Sequence, residues 1–172
     1  MSSRPIVPSL FASRESYRRA AEAIELRAST GKPMSISYSE VADLVHQVRA
    51  QLASWQLPKG TVVCSSLVNS LEFVVVFLAT ADLGLVAAPL NPNYKESEVP
   101  FDREATNSPA LIVPAGTLSG TDASEGALAA KRAADALSVR VVEIVHDAKA
   151  LQRVAANVGS TPSLCRILFS AP

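Results

Sequence analysis

Charge of either sign has no majority in this chain. Sixteen basic and sixteen acidic residues cancel over 172 residues. With no basic stripe there is no footprint for nucleic acid, and with no acidic run there is no acidic interaction tail. Cysteine is scarce as well. Cys64 and Cys165 stand far apart with no CxxC pair, which excludes a disulfide framework and a zinc site. Two buried free thiols in a reducing compartment is the reading that remains. No G-x-G-x-x-G precedes a helix, so a classical dinucleotide site has no support. No G-x-S-x-G is present, so an esterase elbow has none. Nothing has metal-ligand spacing. "MSSRPIVPSLFAS" lacks the apolar run of a secretory signal, and "RILFSAP" is not the Ser-Lys-Leu address, so a cytoplasmic or peroxisomal location is expected.

What is there is apolar. Hydrophobic residues make up 48% and charged residues 19%, the balance of one globular domain with a sizeable core. The longest apolar run, Phe73 to Leu90, has the length of a membrane span. Asp82 at its middle and Gly84 after it argue against one, because a charge in lipid is costly. The run divides instead into a buried helix, a Gly turn and a buried strand.

The remaining pattern alternates strands and helices. "SISYSEVADLVHQVRAQLASWQL" reads as a strand tip and a helix, with Ser39 as N-cap and Glu40 in the first turn. Val41, Leu44, Val45, Val48 and Leu52 share one face of it, and Pro58 and Gly60 break it. "TVVCSSLV" is a buried strand. Asn69 or Ser70 caps a second helix with Leu71, Val74, Val75, Leu78 and Leu83 inward. "LVAAPL" is a second strand, "NPNY" a turn, "PALIVP" a third strand, and "EGALAAKRAADAL" a helix before a fourth strand, "SVRVVEIV". "KESEVPFDREATN" admits at most a first helical turn before Pro100. Residues 14–28 carry strong helix formers, although "AIEL" within them also fits a strand. Past His146 the expectation is a helix and a loose tail. The fold class is therefore α/β, a mostly parallel sheet flanked by helices. The division expected is residues 1–148 as an α/β subdomain and 149–172 as the helix and tail.

Candidate sites are few. "AGTLSGTD" leaves a strand and precedes a helix, as a phosphate loop does. Thr121-Asp122 stands where such a loop needs Lys-Ser/Thr, and an acid repels phosphate, so an exposed loop is the better reading. His46 falls between Val45 and Val48 on the first helix as a surface or boundary residue. His146-Asp147 follows the last strand, where ligands bind in parallel sheets, yet a solvated turn outweighs a site. Glu96, Glu98 and Asp102 read as a wet face.

The order of motifs goes further than any one of them. Ser37-Tyr38-Ser39-Glu40-Val41, Lys59-Gly60-Thr61 and Asn69-Ser70-Leu71-Glu72-Phe73 are followed by Phe77-Leu78-Ala79, Gly84, Pro89-Leu90-Asn91-Pro92, Tyr94, Glu98 and Phe101. In this order they resemble the N-terminal part of AMP-forming acyl-CoA synthetases, in the adenylate-forming superfamily. "LIVPAGT" and the Ala-rich helix are most like the peroxisomal-type, oxalate–CoA ligase group. The resemblance runs over about residues 8–148. Thr61 replaces the family's usual Asp, Pro100 interrupts a helix that the family keeps, and the charge of residues 14–28 is unusual.

The resemblance implies a two-step reaction. A carboxylate attacks the α-phosphate of ATP, and CoA then displaces AMP from the acyl-adenylate. ATP, Mg and CoA are the cofactors implied for the full-length family, and none for this chain alone. The family's Ser/Thr-Gly-rich phosphate loop, aromatic-Thr-Glu motif, ribose-binding Asp, hinge and catalytic Lys have no counterpart in these residues. The expectation is a truncated chain, inactive alone, with no catalytic, cofactor-binding or metal-ligating residue of its own. The alternative is a non-catalytic interaction module. The partners implied are a full-length ligase or a second copy of the chain, with no nucleic acid and no membrane span.

Overall fold

A computed structural model describes residues 22–26, 34–95, 107–121, 123–146 and 165–169. Its elements, in chain order, are β1 (Glu22–Leu26), β2 (Met34–Ser37), α1 (Tyr38–Ala53), β3 (Val62–Ser65), α2 (Leu71–Asp82), β4 (Val86–Pro89), β5 (Ala110–Pro114), α3 (Glu125–Ala136), β6 (Arg140–His146) and β7 (Cys165–Phe169). Among the described residues β1 and β2 pair antiparallel as a small separate sheet, and the other five strands form one sheet ordered β4-β3-β5-β6-β7. β3 is parallel to β4 and β5, and β5 is parallel to β6. Among the described strands of this sheet only β7 runs antiparallel, along β6.

Among the described residues, serine caps start all three helices. At α1 the cap is Ser37, two residues before the expected Ser39. Ser37 is extended, with φ −75° and ψ 161°, and its hydroxyl accepts the Glu40 amide. The Glu40 carboxylate accepts the Ser37 amide in return, at 2.7 Å. The S-x-x-E spacing explains the correction: only Ser37 stands three residues before Glu40, where both orphan amides can be satisfied together. Ser70 caps α2 through the Phe73 amide, and Ser124 caps α3 through the Ala127 amide.

The helix ends are set locally. α1 stops at Ala53, ahead of the expected Pro58 and Gly60. Gln56 then turns left-handed, with φ 54°. α2 stops at Asp82, and Gly84 at φ +72° turns the chain into β4, as the apolar run required. Twelve residues are too few for a span, and no described helix is long and apolar enough to cross a membrane.

The sheet is packed on both faces. Val41, Leu44, Val45, Val48 and Leu52 of α1 are all buried, as their spacing required. They meet α2 and the alternating residues Ala110, Ile112, Val142 and Ile144 of the sheet. The opposite alternation, Cys64, Leu111, Val113 and Val141, packs against Ala130 and Ala134 of α3. Alanines let α3 lie close to the sheet. Each large aliphatic side chain buried this way stabilises by about 1.5–3 kcal/mol over its exposed state. Cys64 is a buried free thiol, as expected.

Several expectations need correction. The inward face of α2 is Leu71, Val75, Val76, Ala79 and Thr80, while Val74 and Leu78 are only half-buried. The stripe is rotated because α2 packs against both α1 and the sheet. β4 is not a buried strand. It lies at the sheet edge, and Val86 is 48% exposed. The Val86 and Leu90 amides turn inward to Thr61 and Ser65 of the β3 strand and its approach. By alternation Pro89 faces outward, so its missing N–H removes no ladder bond and blunts the edge. Of the helix formers in residues 14–28, Glu22–Leu26 is a strand, and it pairs with β2 rather than with the main sheet. Within the expected helix and tail, Cys165–Phe169 adds the antiparallel strand β7. "KESEVPFDREATN" lies outside the described residues from Glu96 to Thr106.

Candidate functional site

The strand order has a reversal in it. The chain leaves β3, passes α2 to β4 on one side, then crosses to β5 on the other side of β3. Connections diverge at the β3–β5 junction, so the two carboxyl ends separate there. In open α/β sheets this is where ligands bind. A cleft of about 340 Å³ opens at this place.

Each wall follows from the local fold. Leu67 and Val68 lie just past the end of β3, and Pro114 and Ala115 lie at the end of β5. Ile144 of β6 closes the floor. Ser70 and Glu72 belong to the cap and first turn of α2 and form the polar rim. Leu67 and Ile144 are buried, whereas Val68 is 50% exposed at the mouth. Among the described lining residues five of seven are thus apolar, and Glu72 is the ionisable one. No Lys, Arg or His among the described residues lines the cleft, and no base–nucleophile pair stands in it.

The glycine-rich stretch after β5 is a tight turn rather than an open loop. Gly116 (φ +86°) and Gly120 (φ +72°) bend it, and a Cβ on Gly116 would meet the Thr121 carbonyl at 2.1 Å. Thr117 is buried, contrary to the exposed loop expected. Its hydroxyl donates to the Pro114 carbonyl at 2.7 Å. The Thr121 amide donates to the Gly116 carbonyl at 3.0 Å. The Leu118 amide donates to the Glu143 carboxylate at 2.5 Å. An internal carboxylate therefore occupies a donor that a phosphate would need. This gives the physical reason to reject the phosphate-loop reading, beyond the sequence mismatch.

The other sequence candidates do not converge. His46 is exposed on α1, as its slot suggested. His146 ends β6, and Asp147 lies outside the described residues, as do Glu96, Glu98 and Asp102. Among the described residues no group of three or more His, Cys, Asp or Glu could hold a metal. The cleft residues escaped sequence reasoning because the cleft is made by strand order. The available signal was the capped helix start "NSLEF" directly after a parallel strand.

An open sheet wound in both directions, with a cleft at the reversal, defines the class: a doubly wound α/β protein. The family model described as AMP-binding enzyme matches residues 13–164. The chain belongs to the AMP-binding enzyme family. It is 33% identical over 88 residues to an oxalate–CoA ligase of Saccharomyces cerevisiae, covering 48% of this chain and 16% of that protein. It is 28% identical over 157 residues to 4-coumarate–CoA ligase 5 of Oryza sativa subsp. japonica, covering 82% of this chain and 29% of that one. The chain thus spans well under a third of the length of these curated relatives. Its fold matches that of apo MatB from Rhodopseudomonas palustris with a TM-score of 0.61 and 22% identity, over 81% of this chain and 25% of that chain. The fold is thus that of the matched part of MatB, and the sequence similarity is to proteins named as CoA ligases.

The described lining of the cleft does not by itself fit a polyphosphate or a magnesium ion. A polyphosphate needs cations or free backbone donors, and a magnesium ion needs convergent carboxylates. The walls are apolar with one carboxylate at the rim.

Proposed function

We propose that these residues form the N-terminal α/β part of an ATP-dependent acid–CoA ligase. Their role is to scaffold, and with their strand ends to wall the acyl site. The family match over residues 13–164 carries this reading. A carboxylic acid joined to CoA is the chemistry common to the relatives named oxalate–CoA ligase and 4-coumarate–CoA ligase. ATP, magnesium and CoA are the proposed cofactors of the whole enzyme.

As an isolated 172-residue chain it carries no ligase activity. Acyl-adenylate formation builds charge on the α-phosphate, which preorganised cations and backbone donors must stabilise. The described residues of the cleft lining supply neither. A full-length ligase or a second copy of the chain is the proposed partner, in the cytoplasm or the peroxisome.

Two measurements test the proposal. The isolated chain should show no carboxylate-dependent exchange of pyrophosphate into ATP; measurable exchange by the pure chain defeats the claim of inactivity. A chimera in which these residues replace the matched part of 4-coumarate–CoA ligase 5 should exchange pyrophosphate. A folded, soluble chimera without exchange defeats the ligase reading.

A further inference from the structure

We propose that Glu143 is a positioning residue for the cleft: it latches the turn after β5, and through that turn it fixes the wall made by Pro114 and Ala115. The inference concerns the cleft of this chain and stands apart from the ligase reading. Pro114 and Ala115 line the cleft with Ile144 and the start of α2. Glu143 belongs to the opposite face of the sheet. It alternates with Ile144 along β6 and pairs in register with Val113, and Val113 and Val141 pack against α3. It touches the cleft nowhere, so it can act there only through another element.

The turn is that element. The Thr117 amide and hydroxyl both donate to the Pro114 carbonyl, at 3.3 and 2.7 Å. Gly116, third in that turn, has the positive φ of +86° that a type II turn needs. The Thr121 amide returns to the Gly116 carbonyl at 3.0 Å, and Gly116 has no room for a Cβ. Residues 116–121 are thus closed on themselves and move as one body. Leu118 ties that body to the sheet twice. Its side chain packs against the cluster of Val113, Val141 and Ala130, and its amide donates to the Glu143 carboxylate at 2.5 Å.

A carboxylate is a costly choice for this place. Glu143 is 8% exposed in the middle of β6, where a valine would fill the strand without desolvating a charge. The charge-assisted bond to Leu118 offsets that cost. It also supplies direction. Apolar contact alone is non-directional and lets the turn slide, whereas a satisfied buried polar bond selects one arrangement. Ala115 directly precedes Gly116, so the cleft wall follows the turn.

The test is nuclear magnetic resonance of the 172-residue chain with labelled amides and alanine methyls, comparing the parent with Glu143→Gln and Glu143→Val. The Leu118 amide proton and the Ala115 methyl should move together, little in Glu143→Gln, which keeps an acceptor, and far in Glu143→Val. Exchange of the Thr117, Leu118 and Thr121 amides should quicken together in Glu143→Val, by about tenfold to a hundredfold. Glu143→Met fills the same space without an acceptor and stands in if Glu143→Val does not fold. Native-state shifts report the folded structure, so a loss of global stability alone does not move the Ala115 methyl. The proposal is overturned if the Leu118 amide moves while the Ala115 methyl stays. It is also overturned if Glu143→Gln moves that methyl as far as Glu143→Val.

Discussion

The carboxylate of Glu143 on β6 accepts the backbone amide of Leu118 at 2.5 Å, across 25 residues of chain. Glu143 is 8% exposed, so the bond is made largely out of water. It holds the turn after β5 against the neighbouring strand. Replacing Glu143 by Val should leave the Leu118 amide without its acceptor and cost about 1–3 kcal/mol. Glu143→Gln keeps an oxygen acceptor without the charge and should cost less. Urea unfolding of the two variants against the parent checks the order. Equal loss in both would mean that the carboxylate packs the turn without serving the amide.

At the first turn of α3 a glycine is required by a neighbour. A Cβ on Gly126 would stand 1.7 Å from the carbonyl oxygen of Pro92, in the turn after β4. Alanine is the better helix former by about 1 kcal/mol, so propensity alone favours Gly126→Ala. The close approach opposes it, because backbone on both sides must shift, at about 1–3 kcal/mol. The expected net result is a lower melting temperature. A stabilised Gly126→Ala variant would show that the two turns move apart freely.

Thr80 presents the opposite case. Its side chain is fully buried on α2, and its hydroxyl has no hydrogen-bond partner among the described residues. The desolvated hydroxyl contributes nothing in return for its lost hydration. Thr80→Val keeps the branched shape and removes the polar atom, so stability should rise by about 1 kcal/mol. The denaturant midpoint should move up with an unchanged slope. A fall would reveal an internal partner for the hydroxyl, such as a buried water.

These sites also mark what a sequence can disclose. The face of α1 was legible because Val41, Leu44, Val45, Val48 and Leu52 repeat at the helical period and all point one way. Ser70 and the glycine turn at Gly84 were legible because caps and left-handed positions are local chemistry. The exposure of β4 was not, since a short apolar run reads alike at the centre and the edge of a sheet. β7 was missed because its pairing with β6 is antiparallel and lies beyond a segment without periodic pattern. The cleft depends on which strand lies beside which. No local signal states that β3 lies between β4 and β5. The bond from Leu118 to Glu143 is invisible for the same reason, and so is the contact of Gly126 with Pro92.

Asp82, the acid that spoke against a membrane span, ends α2 with its side chain 9% exposed. A carboxylate at a helix C-terminus is opposed by the helix dipole, and burial adds a desolvation cost. Arg49 of α1 offsets both, with its Nε 2.5 Å from the Asp82 carboxylate. The contact is an ion pair rather than an aligned hydrogen bond: neither Arg49 Nε nor Asp82 Oδ1 has a hydrogen-bond partner of good geometry. The Arg49 side chain is 39% exposed, so water screens the pair and its net worth is small. Breaking it is a different matter. Arg49→Met should leave a nearly buried carboxylate unpaired and cost about 2–3 kcal/mol, short of the 3–5 kcal/mol of a fully buried pair. Asp82→Leu removes the uncompensated charge and should cost less. The double variant should then be more stable than Arg49→Met alone, because the orphaned acid has gone. A double-mutant cycle by urea unfolding measures this directly. Strict additivity of the two substitutions would show that Arg49 and Asp82 stand close without interacting.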